Sequence, residues 1–287
     1  MSATASATSL TIARANPAAL PARNSRDMPQ RMLRISAAAW FAVAALGQLL
    51  FAYYILRFYG GSALRGDPGA WTRVLEVGYV AGATAQNTVL ISHLAAALFV
   101  NVLGVMQFVP AVRSRWPRFH RINGRVYLTA VVVAAMGGAF LLSTGTSDGR
   151  FVQHLGSGVM AILIITFAAL ALQAARARRI DVHRQWALRV FLTANGGWFF
   201  RISLMLWIVA NHGPVGFDGK TFTGPFLDGL AFAQFLLPLG IAELYFRAKA
   251  STRPALQYAV AGSLGVLALG TLAGVAAATL ILWAPHW

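Results

Sequence analysis

Four histidines lie near the ends of four different apolar segments, where imidazoles on neighbouring membrane helices could coordinate the iron of a haem. His93 and His154 fall near one face of the predicted membrane, and His120 and His183 fall near the other. Along the chain they are 27, 34 and 29 residues apart, and each interval is about one span plus one loop. We therefore predict two pairs of axial ligands for haem b, although interfacial histidines in basic loops are also common without any ligand.

Two arginines lie inside the fifth apolar segment, where a charged side chain costs about 2.5 to 3.5 kcal/mol. Arg189 and Arg201 should therefore face the protein interior and have partners. For Arg189 we predict a structural ion pair with Glu243 on the next helix. For Arg201 the candidates are a haem propionate, a quinone or substrate oxygen, a backbone carbonyl, or the carboxylates of Asp228 and Glu243.

The chain contains no cysteine, which excludes disulfides, thiolate metal sites, iron–sulfur clusters and c-type haem attachment. A helical HExxH motif, a glycine-rich phosphate loop and a GxSxG motif are also missing from the sequence. Hydrolase and nucleotide-dependent functions therefore have no support. Any cofactor must be held by histidine, carboxylate or packing.

The elements that must position these side chains are membrane helices. The sequence is 57% hydrophobic and 11% charged, and its apolar runs reach the roughly 20 residues that cross a hydrocarbon core. Because it lacks the alternating pattern of a membrane barrel, we predict an all-α polytopic bundle in contact with the lipid bilayer. Seven transmembrane helices are expected, near residues 35–56, 89–110, 124–144, 152–173, 185–210, 226–246 and 256–283.

The distribution of positive charge predicts how the bundle is oriented. Of the 24 Lys and Arg residues, 17 lie in the N-terminal tail and in alternate loops, whereas the loops of the other side contain five. This places the N-terminus in the cytoplasm and the C-terminus outside. It also explains the net charge of +16, because juxtamembrane arginines set topology and meet anionic lipid, so no nucleic-acid partner is expected.

Residues 1–30 are rich in Ser, Ala, Thr, Pro and Arg and contain no apolar core segment. We predict a disordered cytoplasmic tail, with an organellar transit peptide as the alternative, and a transmembrane domain over residues 31–287. The longest loop, 57–88, is predicted to be a connector anchored at the interface by Trp71 and Tyr79, or alternatively a lid over a site at that face.

Two further pairs of residues have less specific roles. His212 and His286 follow the ends of apolar segments and are predicted to face solvent. Gly270 and Gly274 in the last span have the spacing of a small-residue packing motif, which could serve either a homodimer or packing within one chain.

Two segments begin alike, HRINGRVYL from His120 and HRQWALRVFL from His183. Together with other polar positions they resemble a family of bacterial predicted membrane proteins that is classed as a domain of unknown function. The positions that carry this resemblance are His93, Gln107, Phe108, Arg113, Arg121, Gly124, Arg125, Tyr127, Asp181, Arg184, Trp186, Arg189, Arg201 and Glu243. The resemblance covers about residues 90–246 and implies a multi-pass protein of the bacterial inner membrane, with no activity attached. His154 is not expected in most members of that family.

The order of the four histidines is also similar to that in the two-haem transmembrane cytochromes that pass electrons from ascorbate-like donors. In those proteins the first and third histidines pair near one face, and the second and fourth pair near the other. This resemblance implies haem between His93 and His154 and between His120 and His183.

Together these features lead to two competing functions. The first is a membrane oxidoreductase that carries electrons on haem b between a quinone or redox partner protein and an acceptor, with Arg201 at the cofactor. The alternative is a non-redox small-molecule transporter, sensor or assembly protein, in which histidines and arginines line a polar cavity.

Overall fold

A computed structural model describes residues 28–75, 78–144 and 150–287. Within these ranges the regular structure is helical, apart from one isolated β-bridge between Asp218 and Thr223. Of the tail predicted over residues 1–30, residues 1–27 lie outside the described residues. The last three residues of that range belong to the first helix, which begins at Met28. The all-α architecture is therefore confirmed.

The described chain folds into ten α-helices with short π and 3₁₀ segments between them. The α-helices are α1 Met28–Tyr54, α2 Gly61–Leu64, α3 Thr84–Phe108, α4 Pro110–Arg115, α5 Pro117–Thr144, α6 Phe151–Arg176, α7 Ile180–Ala194, α8 Gly196–Ala210, α9 Pro225–Ala250 and α10 Pro254–Ala278. Four of them begin at a proline, the residue whose missing N–H costs least in the first turn of a helix. The prolines are Pro110, Pro117, Pro225 and Pro254.

Six of the described helical segments are long and apolar enough to cross a membrane, and the count becomes seven when α7 and α8 are taken as one broken span. A polytopic membrane protein is thus confirmed. The continuous fifth span predicted over 185–210 is corrected, because the chain bends there by 51° between α7 and α8.

The break between α7 and α8 falls at Asn195. The Asn195 side chain donates to the carbonyl of Phe191 at 2.7 Å, and the Asn195 backbone N–H donates to the same oxygen at 3.3 Å. On the other side, the backbone N–H groups of Trp198 and Phe199 donate to the Asn195 carbonyl at 3.0 and 2.9 Å. The paired glycines 196 and 197 follow directly and make a continuous helix less favourable.

Successive spans run in opposite directions, so the bundle has two ends. At one end, which we call the basic end, α1, α5, α7 and α10 begin and α3, α6 and α9 end. We call the opposite end the far end. α5 packs against both α3 and α6, while α10 packs mainly against α1 and α8. At the basic end the rings of Phe41 and Phe108 lie 6.1 Å apart and join α1 to α3.

The connector between α1 and α3 is more helical and more buried than predicted. α1 continues through a π-helical segment, Ile55–Gly60, into α2, and a 3₁₀ helix follows at Pro68–Arg73. Trp71 is only 3% exposed and donates to the Ser62 hydroxyl at 2.8 Å. Trp71 therefore belongs to the core, which corrects its predicted role as an anchor at the membrane interface.

Several helices approach each other closely at glycines. A Cβ added at Gly156 of α6 would lie 2.9 Å from the Ala231 carbonyl oxygen of α9, and one at Gly274 of α10 would lie 2.8 Å from the Ile202 carbonyl oxygen of α8. Small residues allow membrane helices to come this near. Gly274 thus serves packing within the chain, whereas a Cβ at Gly270 would meet nothing within 4 Å.

Candidate functional site

His93 packs against α5 inside the bundle. Its Nδ1 lies 2.8 Å from the backbone carbonyl oxygen of Ala134, an oxygen that can only accept a hydrogen bond. The imidazole therefore donates through Nδ1, which leaves Nε2 as the basic nitrogen. The glycines at positions 137 and 138 make room for the ring, since a Cβ at Gly137 would come within 3.1 Å of His93 Cβ.

His154 contacts a different face of α5. It lines a small cavity of about 230 Å³ together with Ala139, Leu142, Ser143 and Gly158. At about 100° per residue, these α5 positions point roughly 140° away from positions 134, 137 and 138, which receive His93. α5 therefore passes between the two imidazoles, and a haem with its iron between His93 and His154 does not fit this packing.

At the basic end, His120 and His183 come closer to one another. His183 is held by a 2.9 Å hydrogen bond from Nδ1 to the Ala171 carbonyl of α6. His120 lies within electrostatic range of both His183 and Arg113, and its Nδ1 is buried without a partner among the described residues. The described residues contain no cluster of three or more metal-binding side chains, so two imidazoles are the most that this end can supply to one iron.

Arg189 forms the predicted ion pair with Glu243. Its Nε donates to Glu243 Oε1 at 2.8 Å, and Nη2 donates to the same oxygen. The guanidinium also lies 4.6 Å from the ring centre of Trp186 and 5.2 Å from that of Phe246. A carboxylate and two aromatic faces thus account for this charge, and the pair joins α7 to α9.

Arg201 has different neighbours. Its Nη1 donates to the Gly197 carbonyl at 2.8 Å, and the guanidinium lies 5.3 Å from the ring centre of Phe51. Neither Asp228 nor Glu243 forms an ion pair with Arg201, and no other carboxylate among the described residues does so. Of the partners predicted from the sequence, the structure supplies the backbone carbonyl.

An aromatic cluster near Arg201 at the far end was not predicted. The rings of Tyr54 and Phe58 stack 5.7 Å apart, and His286 meets Phe58 edge-on at 5.1 Å. His286 is therefore half-buried, which corrects its predicted exposure to solvent; His212 is exposed as predicted. The spacing of four residues between Tyr54 and Phe58 was the available sequence signal, because such pairs share a helix face.

A cavity of about 710 Å³ lies between α1, α7, α8, α9 and α10, with Phe108 of α3 and Pro110 of α4 also in its lining. None of the four histidines lines it. Its walls are mainly apolar, with Phe41 of α1, Phe191 of α7, Phe199 of α8, Leu230 of α9 and Leu267 of α10. This differs from the polar, histidine-lined cavity expected from the sequence.

Polar groups are few along this cavity and unevenly placed. Arg34 and Tyr245 lie at its basic end, and Gln234, Ser203 and Thr271 lie further in. The wall formed by α9 runs from Leu230 to Tyr245, about 22 Å at 1.5 Å per residue. Sequence reasoning missed this cavity because its lining residues come from seven helices and form no motif.

No curated protein matches the chain, and no solved structure matches it either. Residues 90–237 match the model of a family described as "Predicted membrane protein (DUF2306)". The match begins just before His93 and ends within α9, so it includes the four histidines and the broken span but leaves out α1, α10 and Glu243. The chain therefore belongs to this family of predicted membrane proteins, whose function is unknown.

Proposed function

We propose that this protein, as a multi-pass protein of the bacterial inner membrane, binds a lipid-soluble small molecule within the bilayer. The cavity of about 710 Å³ between α1, α7, α8, α9 and α10 carries the proposal. Its volume is within the range of ligand sites, roughly 300 to 1,000 Å³. Apolar walls with a few polar groups are also the usual lining of such sites. A quinone and a long-chain lipid both belong to this class of ligand.

The cavity has a side that could admit such a molecule from the membrane. Leu237 of α9 and Val266 of α10 line it and are 66% and 71% exposed. These exposed apolar side chains belong to the lipid-facing surface of the bundle. A ligand dissolved in the bilayer could enter between α9 and α10 without crossing water.

The break in the fifth span supports a binding or transport role. Leu192 lies just before the break and Phe199 just after it, and both line the cavity. Within a membrane, interrupted helices are tolerated where they are buried in protein or line a cavity, and they often form substrate sites in transporters. The break between α7 and α8 thus lies beside a cavity, where an interrupted membrane helix is tolerated.

Saturable quenching of tryptophan fluorescence tests the proposal. Trp40 lines the cavity, stacks on Phe199 at 6.4 Å and donates to the Thr271 hydroxyl. Dibrominated stearyl alcohol, a neutral probe with a long chain, should quench the purified protein in detergent at saturable concentrations. Trp40→Phe should remove most of that saturable signal, because bromine quenches only at contact.

A matched pair of glycine substitutions separates the cavity from the general lipid-facing surface. Gly270→Phe should abolish saturable quenching, since a side chain at this lining position meets open space and would fill the cavity. Gly262→Phe on the same helix is the control, because Gly262 also has open space but does not line the cavity. Equal quenching in both variants, or linear quenching without saturation, would reject the site.

Haem binding remains a second candidate, limited to His120 and His183. Its support is that the Nδ1 hydrogen bond of His183 leaves Nε2 available as a ligand and that His120 lies nearby. A reduced-minus-oxidised absorption spectrum of protein expressed with added haem precursor should then contain a low-spin haem band, lost in His183→Ala. A colourless protein would end this candidate and leave the lipid-soluble ligand unaffected.

A further inference from the structure

We propose that the ligand is a single-chain amphiphile with an anionic head, a carboxylate or a phosphate, bound by Arg34 at the basic end of the cavity. This inference rests on the proposed function and adds the chemistry and direction of the ligand. The head lies beside Arg34 and Tyr245, and the chain extends between α8, α9 and α10 towards Leu230.

Arg34 supplies the charge that an anionic head requires. It is the charged residue of the cavity lining, and no carboxylate among the described residues forms an ion pair with it. Tyr245 of α9 lies within electrostatic range of Arg34, and the Tyr245 hydroxyl makes no hydrogen bond among the described residues. A guanidinium and a phenol on opposite walls can therefore both donate to one carboxylate or phosphate.

The remainder of the cavity matches an apolar chain. From Tyr245 the α9 wall continues through Ile241, Pro238 and Leu237 to Leu230, over about 22 Å at 1.5 Å per residue. Burial of hydrocarbon along this wall contributes the same binding free energy whichever way round the ligand lies. The charge at one end therefore determines the orientation of the ligand. An anionic head placed at the Leu230 end would lose its hydration and meet no cationic side chain, since the polar groups of the inner lining, Gln234, Ser203 and Thr271, are uncharged.

A single chain is favoured over a two-chain phospholipid. The cavity has a volume of about 710 Å³, its α9 wall is about 22 Å long, and it opens to the surface beside Leu237 and Val266. One chain can lie along this space, while the second chain of a phospholipid would have to leave through the opening.

Arg34 itself is exposed, as expected for an arginine that reaches the level of lipid head groups.

Paired probes with the same chain and different heads test the charge. In detergent, dibrominated stearate should quench Trp40 about fivefold more tightly than dibrominated stearyl alcohol, the effect of one exposed ion pair. Arg34→Gln should remove that preference, because stearate loses its ion pair and should lose more affinity than the uncharged alcohol. Arg31→Gln is the matched control, because Arg31 lies one turn earlier on α1 and does not line the cavity.

Each outcome distinguishes this inference from the proposed function. If neither probe quenches saturably, the cavity is not a ligand site and both proposals fail. If both probes bind with the same affinity and Arg34→Gln changes neither, the site stands but its ligand has a neutral head, as a quinone has. If brominated phosphatidylglycerol in nanodiscs gives saturable quenching that stearate cannot displace, the occupant is a membrane phospholipid and the single-chain proposal is wrong.

Discussion

The guanidinium of Arg189 donates twice to one carboxylate oxygen of Glu243, a residue 54 positions later on another helix. The arginine side chain is 15% exposed and the glutamate side chain is 44% exposed. The pair therefore lies at the boundary between the core and the solvated basic end, where it fixes the position of α7 against α9.

Removal of one partner should destabilise the protein more than removal of both. Glu243→Gln leaves the mostly buried Arg189 charge without its carboxylate, and we expect a loss of about 1 kcal/mol, since the exposed carboxylate is partly screened by water. The double variant Arg189→Gln with Glu243→Gln should recover part of that loss. Thermal unfolding in detergent measures the cycle, and strictly additive losses would mean that the two residues do not interact.

Close helix packing predicts different effects for two glycines of α6. Gly156→Ala should destabilise the bundle by about 1 to 3 kcal/mol, because the added carbon would lie 2.9 Å from the Ala231 carbonyl oxygen of α9. Gly158→Ala is the control, since a Cβ there meets nothing within 4 Å. Unfolding temperatures of the two variants test this, and a Gly158 variant that is equally unstable would contradict the packing.

Asn87 should stabilise the connector that precedes α3. Its side chain donates to the Val80 carbonyl at 2.6 Å and accepts from the Val80 N–H at 3.0 Å. Asn87→Ala leaves the exposed Val80 N–H without a protein partner, while the Val80 carbonyl still accepts from the Ala83 N–H at 3.1 Å. We therefore expect a cost of about 1 kcal/mol and faster proteolysis of residues 65–75 and 78–83. Thr88→Ala, at an exposed neighbouring position, should leave the cleavage rate unchanged. If protease cleaved the Asn87→Ala variant and the native chain at the same rate, Asn87 would not stabilise the connector.

Membrane orientation is predicted from charge and is testable with reporters. The basic end contains the arginines of the α3–α5 and α6–α7 connections, so it should face the cytoplasm. Alkaline phosphatase fused after Trp287 should be active, and the same enzyme inserted at Arg178 should be inactive. The opposite pattern at both sites would mean that the bundle is inverted.

The sequence by itself determined the transmembrane architecture and one of the site contacts. Apolar runs of sufficient length predict membrane helices because unpaired backbone groups are costly in lipid, and the described spans follow those runs closely. The Arg189–Glu243 pair was also predictable, because a buried charge needs a partner and Glu243 was the acidic residue at the same depth. The family resemblance over residues 90–246 corresponds to the matched range 90–237.

Only the tertiary structure decided which side chains meet. His93 and His154 have equal depth in the sequence, yet they contact opposite sides of α5, because apolar helices in lipid have no sequence signal for which faces pack together. The same holds for the break at Asn195 and for the cavity lined by seven helices. The depth of a side chain in the membrane follows from its position on its own helix. The direction in which it points around the helix axis, and its distance from side chains on other helices, depend on how all the helices pack.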